Sequence, residues 1–293
     1  MAITYHAARR IQGLSQNGVI LDNLTTDKGW TATGTGNGYN ASDYVDFKII
    51  TADSSSHAGG RVNIDVQNSD YLNGSNLGTN FTVRTVLRFS ALGLASGNQC
   101  RTYFGFYDKT DWGGTSQDAF VLQVYLDTSV RRFYTMALDG GTFEGGSETK
   151  SQFSLTPAID TDYYVTFTKS SDTLSIRITT SIDYTGGEKV SISKSGLASL
   201  RYFGWKSRGD TQGNGGNVQG TIKPDISIAD GVTSFPSAFD VKPVNVQVGS
   251  RFEETDTRKI YYKDDISWKE LDGAEATNYT SESWYEQLSG ETP

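Results

Sequence analysis

Asn80-Phe-Thr-Val-Arg-Thr-Val-Leu-Arg-Phe89 is the stretch that decides the fold. Phe81, Val83, Thr85, Leu87 and Phe89 fall on every second residue. Side chains in a strand alternate between faces, so this segment reads as a strand with one face in a core. The alternation recurs in Tyr163 to Lys169, where Val165 and Phe167 stand against Thr166 and Thr168. Working outward, further strand candidates span Tyr44 to Ile50, Gly60 to Val66, Arg101 to Tyr107, Ala119 to Asp127, Arg132 to Leu138, Thr173 to Thr180, Glu188 to Ser193, Leu200 to Lys206 and Gly220 to Ile228. Short strands at this spacing, separated by turn residues, are the pattern of a two-sheet sandwich. Polar connectors at 109–117, 140–152 and 208–217 interrupt them, and such segments lie on the surface, where variable function resides.

Composition agrees. Tyr 16 and Phe 14 contribute to an aromatic content of 12%, too much for a disordered chain. Gly 32 with Pro 5 and Met 2, and few long helical runs, indicate an all-β protein. The net charge of -8 argues against nucleic-acid binding, which normally shows a basic face. A single cysteine, Cys100, excludes an intramolecular disulfide framework and reads as a buried core thiol. The first residues lack the apolar run of a signal peptide, and no run approaches the roughly 20 residues that span a bilayer. Assembly in the cytosol without membrane insertion is therefore expected.

The chain divides by pattern into an N-terminal arm at 1–25, a jelly-roll sandwich at 26–232, a linker with a first short strand at 233–250, and a small β-meander with a polar tail at 251–293. In the meander, Phe252, Ile260, Tyr262 and Trp268 are expected on one face. That face is too small to hold three short strands alone, and the cysteine count offers no staple. A protein partner is expected to cover it, which makes these four residues assembly candidates.

Two resemblances add to this reading. The order of Gly60-Arg-Val-Asn-Ile-Asp65, the decapeptide at 80–89, the pair Asp162-Tyr-Tyr-Val-Thr-Phe-Thr168 and Asp172-Thr-Leu-Ser-Ile-Arg-Ile178, and Gly220-Thr-Ile-Lys-Pro-Asp-Ile-Ser-Ile228 resembles the concanavalin A-like, laminin-G-type jelly roll. Phe252-Glu-Glu-Thr-Asp-Thr-Arg-Lys-Ile-Tyr261, followed by Trp268-Lys-Glu-Leu271, resembles a turn found in tail-fibre and virion-surface proteins of tailed viruses. Together they imply a structural protein of the virion, as capsid decoration or tail-fibre component, partnered by copies of itself (a trimer among the arrangements open to it) and by other virion proteins. Host-surface glycan binding through the jelly roll is also implied. The alternative is a secreted or cell-surface lectin-like adhesin, and the third reading a polysaccharide-cleaving enzyme.

Glycoside hydrolases of the sandwich type carry Glu-x-Asp-x-x-Glu on one strand, which sets an acid and a base or nucleophile across the scissile bond, and no strand here has it. Glu253-Glu254-Asp256 and Asp264-Asp265 sit in turns. Only His6 and His57 are present, with no Gly-x-Ser-x-Gly elbow and no phosphate-loop Lys-Ser/Thr. These absences lead to the expectation of no catalytic residue and no enzymatic activity. Binding is better supported: Asp108, Asp111 and Asp118 flank Trp112 in one loop, where carboxylates could hold Ca2+ and an indole could stack on sugar. No other cofactor is called for. Asn68-Ser-Asp-Tyr71 and Asp210-Thr-Gln-Gly-Asn214 are weaker candidates of the same kind.

Overall fold

The alternating segment at 80–89 opens the longest strand of a computed structural model. The structure describes residues 19–22, 24, 27–33, 37–40, 44–50, 60–72, 74–96, 99–110, 117–141, 147–197, 199–208 and 215–234, and the strands at 251–253, 260–263 and 268–271. Every regular element among them is a β-strand: β1 (Val19–Asp22), β2 (Thr31–Thr33), β3 (Gly38–Asn40), β4 (Tyr44–Ile50), β5 (Arg61–Asp65), β6 (Asn80–Ser96), β7 (Gln99–Tyr107), β8 (Gln117–Asp127), β9 (Arg131–Gly141), β10 (Thr149–Gln152), β11 (Asp162–Ser170), β12 (Thr173–Thr179), β13 (Glu188–Ser193), β14 (Tyr202–Arg208), β15 (Gly215–Asp230), β16 (Arg251–Glu253), β17 (Ile260–Lys263) and β18 (Trp268–Leu271).

The strands form two large antiparallel sheets, one ordered β13-β12-β11-β6-β15-β4-β3 with β1 also on β15, the other β10-β9-β8-β7-β14-β5-β2. Together they make an all-β jelly-roll sandwich, as the alternation predicts. The hairpin expected between 162–168 and 172–178 is present, with Phe167 opposite Ile176. Residues 19–22, expected in an N-terminal arm, pair instead with β15 in the register Val19 to Ala229 and Asp22 to Ile226.

Burial follows the alternation. Phe81, Val83, Leu87 and Phe89 of β6 meet Phe104 and Phe106 of β7, Phe120 of β8 and Phe203 and Trp205 of β14 in one core. Phe47 of β4 stacks on Trp205 at 4.1 Å and 6°, and Phe89 meets the edges of Phe47, Trp205 and Tyr163. Each such ring contributes about 2 kcal/mol or more by leaving water. Cys100 is buried in this core, as expected.

The chain divides into two compact units, Gln12–Phe235, which holds the sandwich, and a second of Met1–Ile11 with Pro236–Pro293. In the second unit β16, β17 and β18 form a three-stranded meander. Phe252 lies opposite Tyr261, and Trp268 opposite Lys263. Ile260 lies opposite Glu253 and Leu271. The face expected to gather Phe252, Ile260, Tyr262 and Trp268 concerns side chains that lie outside the described residues.

Candidate functional site

The outer face of the seven-stranded sheet carries the polar chemistry. In β7, Cys100, Phe104 and Phe106 face the main core, so pleating turns Arg101, Tyr103 and Tyr107 to the other side. In β8, Phe120, Leu122 and Val124 point inward and Gln123 and Tyr125 outward. In β9, Phe133 and Ala137 point inward and Arg132 and Tyr134 outward. Part of this outer face is itself apolar: Tyr103, Tyr107, Ala119, Val121, Met136 and Leu138 form a second buried cluster. Toward the β8–β9 turn the face becomes a groove of about 220 Å3 lined by Arg101, Gln123, Tyr125, Arg132, Tyr134 and Lys150.

Strand pairing orders these groups into rows perpendicular to the strands. One row runs Arg101, Tyr125, Arg132. The next runs Tyr103, Gln123, Tyr134, Gln152. The Arg101 guanidinium lies 5.5 Å from the Tyr125 ring centre, and the Lys150 ammonium 5.8 Å from that of Tyr134. The two tyrosines meet edge to face at 6.4 Å. Arg132 Nη1 donates to Tyr134 Oη at 3.3 Å, and that hydroxyl donates to Gln152 Oε1 at 3.2 Å. On the floor, Gln123 Nε2 donates to Tyr103 Oη at 3.3 Å.

Burial, and then the nearby Asp127 carboxylate, push the Tyr125 hydroxyl above its ordinary pKa, so it is a neutral phenol at pH 7. The turn beneath is held by Asp127 Oδ1, which accepts from Ser129 N at 2.8 Å and Val130 N at 2.7 Å. The six lining residues include three cations and no carboxylate, in a chain whose net charge is -8. The arrangement can hold a ligand that combines anionic groups, met by Arg101, Arg132 and Lys150, with hydroxyl-bearing faces, met by the two tyrosines and Gln123.

The loop expected from sequence to bind lies at the far end of β7 and β8. Asp108 N donates to Asp118 O at 3.1 Å, and Asp118 Oδ1 accepts from Gly140 N at 2.8 Å. Asp108 Oδ1 is buried with no hydrogen-bond partner, and burial raises its pKa. Asp111 and Trp112 lie outside the described residues, as do His6, His57 and Asp210. Among the described residues no group of three or more His, Cys, Asp or Glu could hold a metal ion. Asn68 and Asp70 form a turn, with Asn68 Nδ2 donating to Lys28 O at 2.8 Å and Asp70 N to Asn68 Oδ1 at 3.0 Å. Sequence reading missed the groove. Its one signal was the outward parity of Gln123, Tyr125, Arg132 and Tyr134 inside strands already recognised.

No family model matches this chain, and no curated protein matches it. Solved structures do. The CBM2 module of the evolved Dit of Lactobacillus casei BL23 phage J-1 is 16% identical, covers 73% of this chain and 95% of its own, and has a TM-score of 0.44. The PL7 alginate lyase AlyA1 of Zobellia galactanivorans is 13% identical, with 74% and 96% covered and a TM-score of 0.44. The alginate lyase of Klebsiella pneumoniae is 9% identical, with 67% and 84% covered and a TM-score of 0.45. At these values the likeness is one of fold, a jelly roll that occurs in carbohydrate-binding and in polysaccharide-lyase proteins. The expectation of a non-enzymatic protein is corrected by the lyases. The motifs sought belonged to hydrolysis by paired carboxylates and to histidine chemistry, and their absence does not exclude other ways of breaking a polysaccharide.

Proposed function

We propose that this chain binds an acidic polysaccharide in the groove between Arg101, Tyr125, Arg132, Tyr134 and Lys150, and that it does so as a component of a tailed-virus particle. The observation that carries the glycan reading is a cation-rich, tyrosine-flanked groove without a lining carboxylate in a chain of net charge -8. Long-range attraction alone does not draw an anion to such a molecule, so the local field of the groove must. A glycan of uronic-acid type fits because each residue presents both a carboxylate and ring hydroxyls. The phage-protein resemblance of residues 252–261 and 268–271 supports the particle setting. There, weak single contacts become effective through many copies.

Titration calorimetry with uronate, sulfated and neutral oligosaccharides tests the binding. The uronates should bind, added salt should weaken them, and Arg132→Ala should lower affinity about tenfold through loss of a charge-assisted contact. Equal binding of neutral chains, or indifference to Arg132, overturns the reading. The mass of the purified protein in solution tests the setting, because a monomer at every concentration argues against an assembly component.

Cleavage is the second reading. What favours it is Tyr134, whose hydroxyl is fixed between Arg132 and Gln152 at the edge of the same groove. A lyase would leave unsaturated ends with a new ultraviolet absorbance. Tyr134→Phe should abolish that absorbance, and its retention would overturn this reading.

A further inference from the structure

The cations of the groove are not spread evenly over it. In the row Arg101, Tyr125, Arg132 the two arginines stand on β7 and β9, and β8 between them contributes a phenol. The row on one side is neutral throughout: Tyr103, Gln123, Tyr134 and Gln152. On the other side the register pairs Gln99 of β7 with Asp127 of β8. Asp127 is two residues from Tyr125, so pleating sets it on the same outer face, just beyond the lining residues. Its carboxylate accepts from Ser129 N, Ser129 Oγ and Val130 N and from the Tyr125 hydroxyl. These donors are neutral, so the negative charge stays. From strand to strand, this end of the outer face is therefore positive on β7, negative on β8 and positive on β9. Lys150, the remaining lining cation, stands off that line on β10, against the ring of Tyr134.

Arg101 and Arg132 are two strands apart, about 9.6 Å, and one sugar of an extended chain advances by about one such spacing. A chain laid across the strands thus sets two sugars against the two arginines and the sugar between them over Tyr125. A carboxylate on that middle sugar would face a phenol backed by Asp127, and like charges brought together cost binding. A neutral sugar there keeps the contact with the Tyr125 ring and meets no like charge. We infer that the groove selects charge on alternate sugars, and that its ligand class is a polysaccharide in which uronate and neutral sugar strictly alternate. Arg101 and Arg132 take the two carboxylates, and Asp127 discriminates against a third between them. The inference rests on the glycan reading above and narrows it from acidic polysaccharides in general to one charge period.

Calorimetry on the full chain with three tetrasaccharides tests it: one all uronate, one alternating uronate and neutral sugar, and one with two adjacent uronates followed by two neutral sugars. The alternating form should bind more tightly than the all-uronate form, despite half its charge. It should also bind about tenfold more tightly than the block form of equal charge, the size of one charge-assisted contact. Asp127→Asn, which keeps an acceptor for the turn amides, should close the gap between the alternating and all-uronate forms. Affinity that follows the number of uronates whatever their order, or a folded Asp127→Asn protein with the wild-type preference, overturns the inference and leaves groove binding standing. The wild-type comparison decides without the variant. Failure of all three tetrasaccharides to bind wild type overturns the glycan reading, and this inference with it.

Discussion

Thr85 interrupts an otherwise apolar face at the middle of β6. It is fully buried and its hydroxyl has no hydrogen-bond partner. A buried hydroxyl without a partner costs about 1–3 kcal/mol, so Thr85→Val should stabilise the protein by about 1 kcal/mol in urea unfolding. Gly105 makes the opposite case. It has φ +148, and a Cβ there would stand 2.4 Å from the Phe120 carbonyl oxygen and 2.9 Å from Val121 Cα. Gly105→Ala should cost about 3 kcal/mol, read as a lowered urea midpoint, because both obstacles are backbone of the neighbouring strand. Residue patterns of this kind were legible where they run along the chain, as at Phe81 to Phe89. Arg101, Gln123, Arg132 and Lys150 were not legible as a site, since their proximity comes from pairing across strands.

At the scale of elements, strands with period-two alternation declared themselves, and Tyr44–Ile50 and Glu188–Ser193 were located to the residue. The strand Thr149-Lys-Ser-Gln152 did not, because an edge strand with solvent on one side needs no apolar residue. It matters all the same, for it brings Lys150 to the groove and Gln152 to the Tyr134 hydroxyl. Loops behave as elements too. The β12–β13 loop is organised around Asp183, whose carboxylate accepts from Ser181 Oγ at 2.7 Å and from Thr185 N at 3.0 Å. Those bonds, Ser181 first, lower its pKa from 3.8 to about 2. A depressed folded-state value means the stabilisation is complete above 3.8 and is lost as pH falls from there through about 2. Amide exchange at Ser181–Gly187 should accelerate selectively across that window, and Asp183→Asn should show the acid behaviour already at pH 7.

For the molecule as a whole, the two units predict separable properties. Residues 12–235 contain both large sheets and every lining residue of the groove, so that segment alone should fold and bind uronate octasaccharide with the single-site affinity of the full chain. Under the proposed assembly role, light scattering should show self-association of the full chain and none of the shortened protein, and its persistence in the shortened protein would place the contact on the sandwich. The sheet order carries a further consequence, for synthesis. β15 is the last strand of the sandwich in sequence, yet it lies between β6 and β4, and β14 lies between β7 and β5. Neither sheet can be completed by strands that have already emerged. A nascent chain stopped before Gly215 holds β6 with the edge that β15 should pair left bare. Domains fold as units, so this one has to wait at the ribosome until residue 230 is clear of the exit tunnel. Early termination should therefore yield insoluble fragments, in place of smaller folded ones.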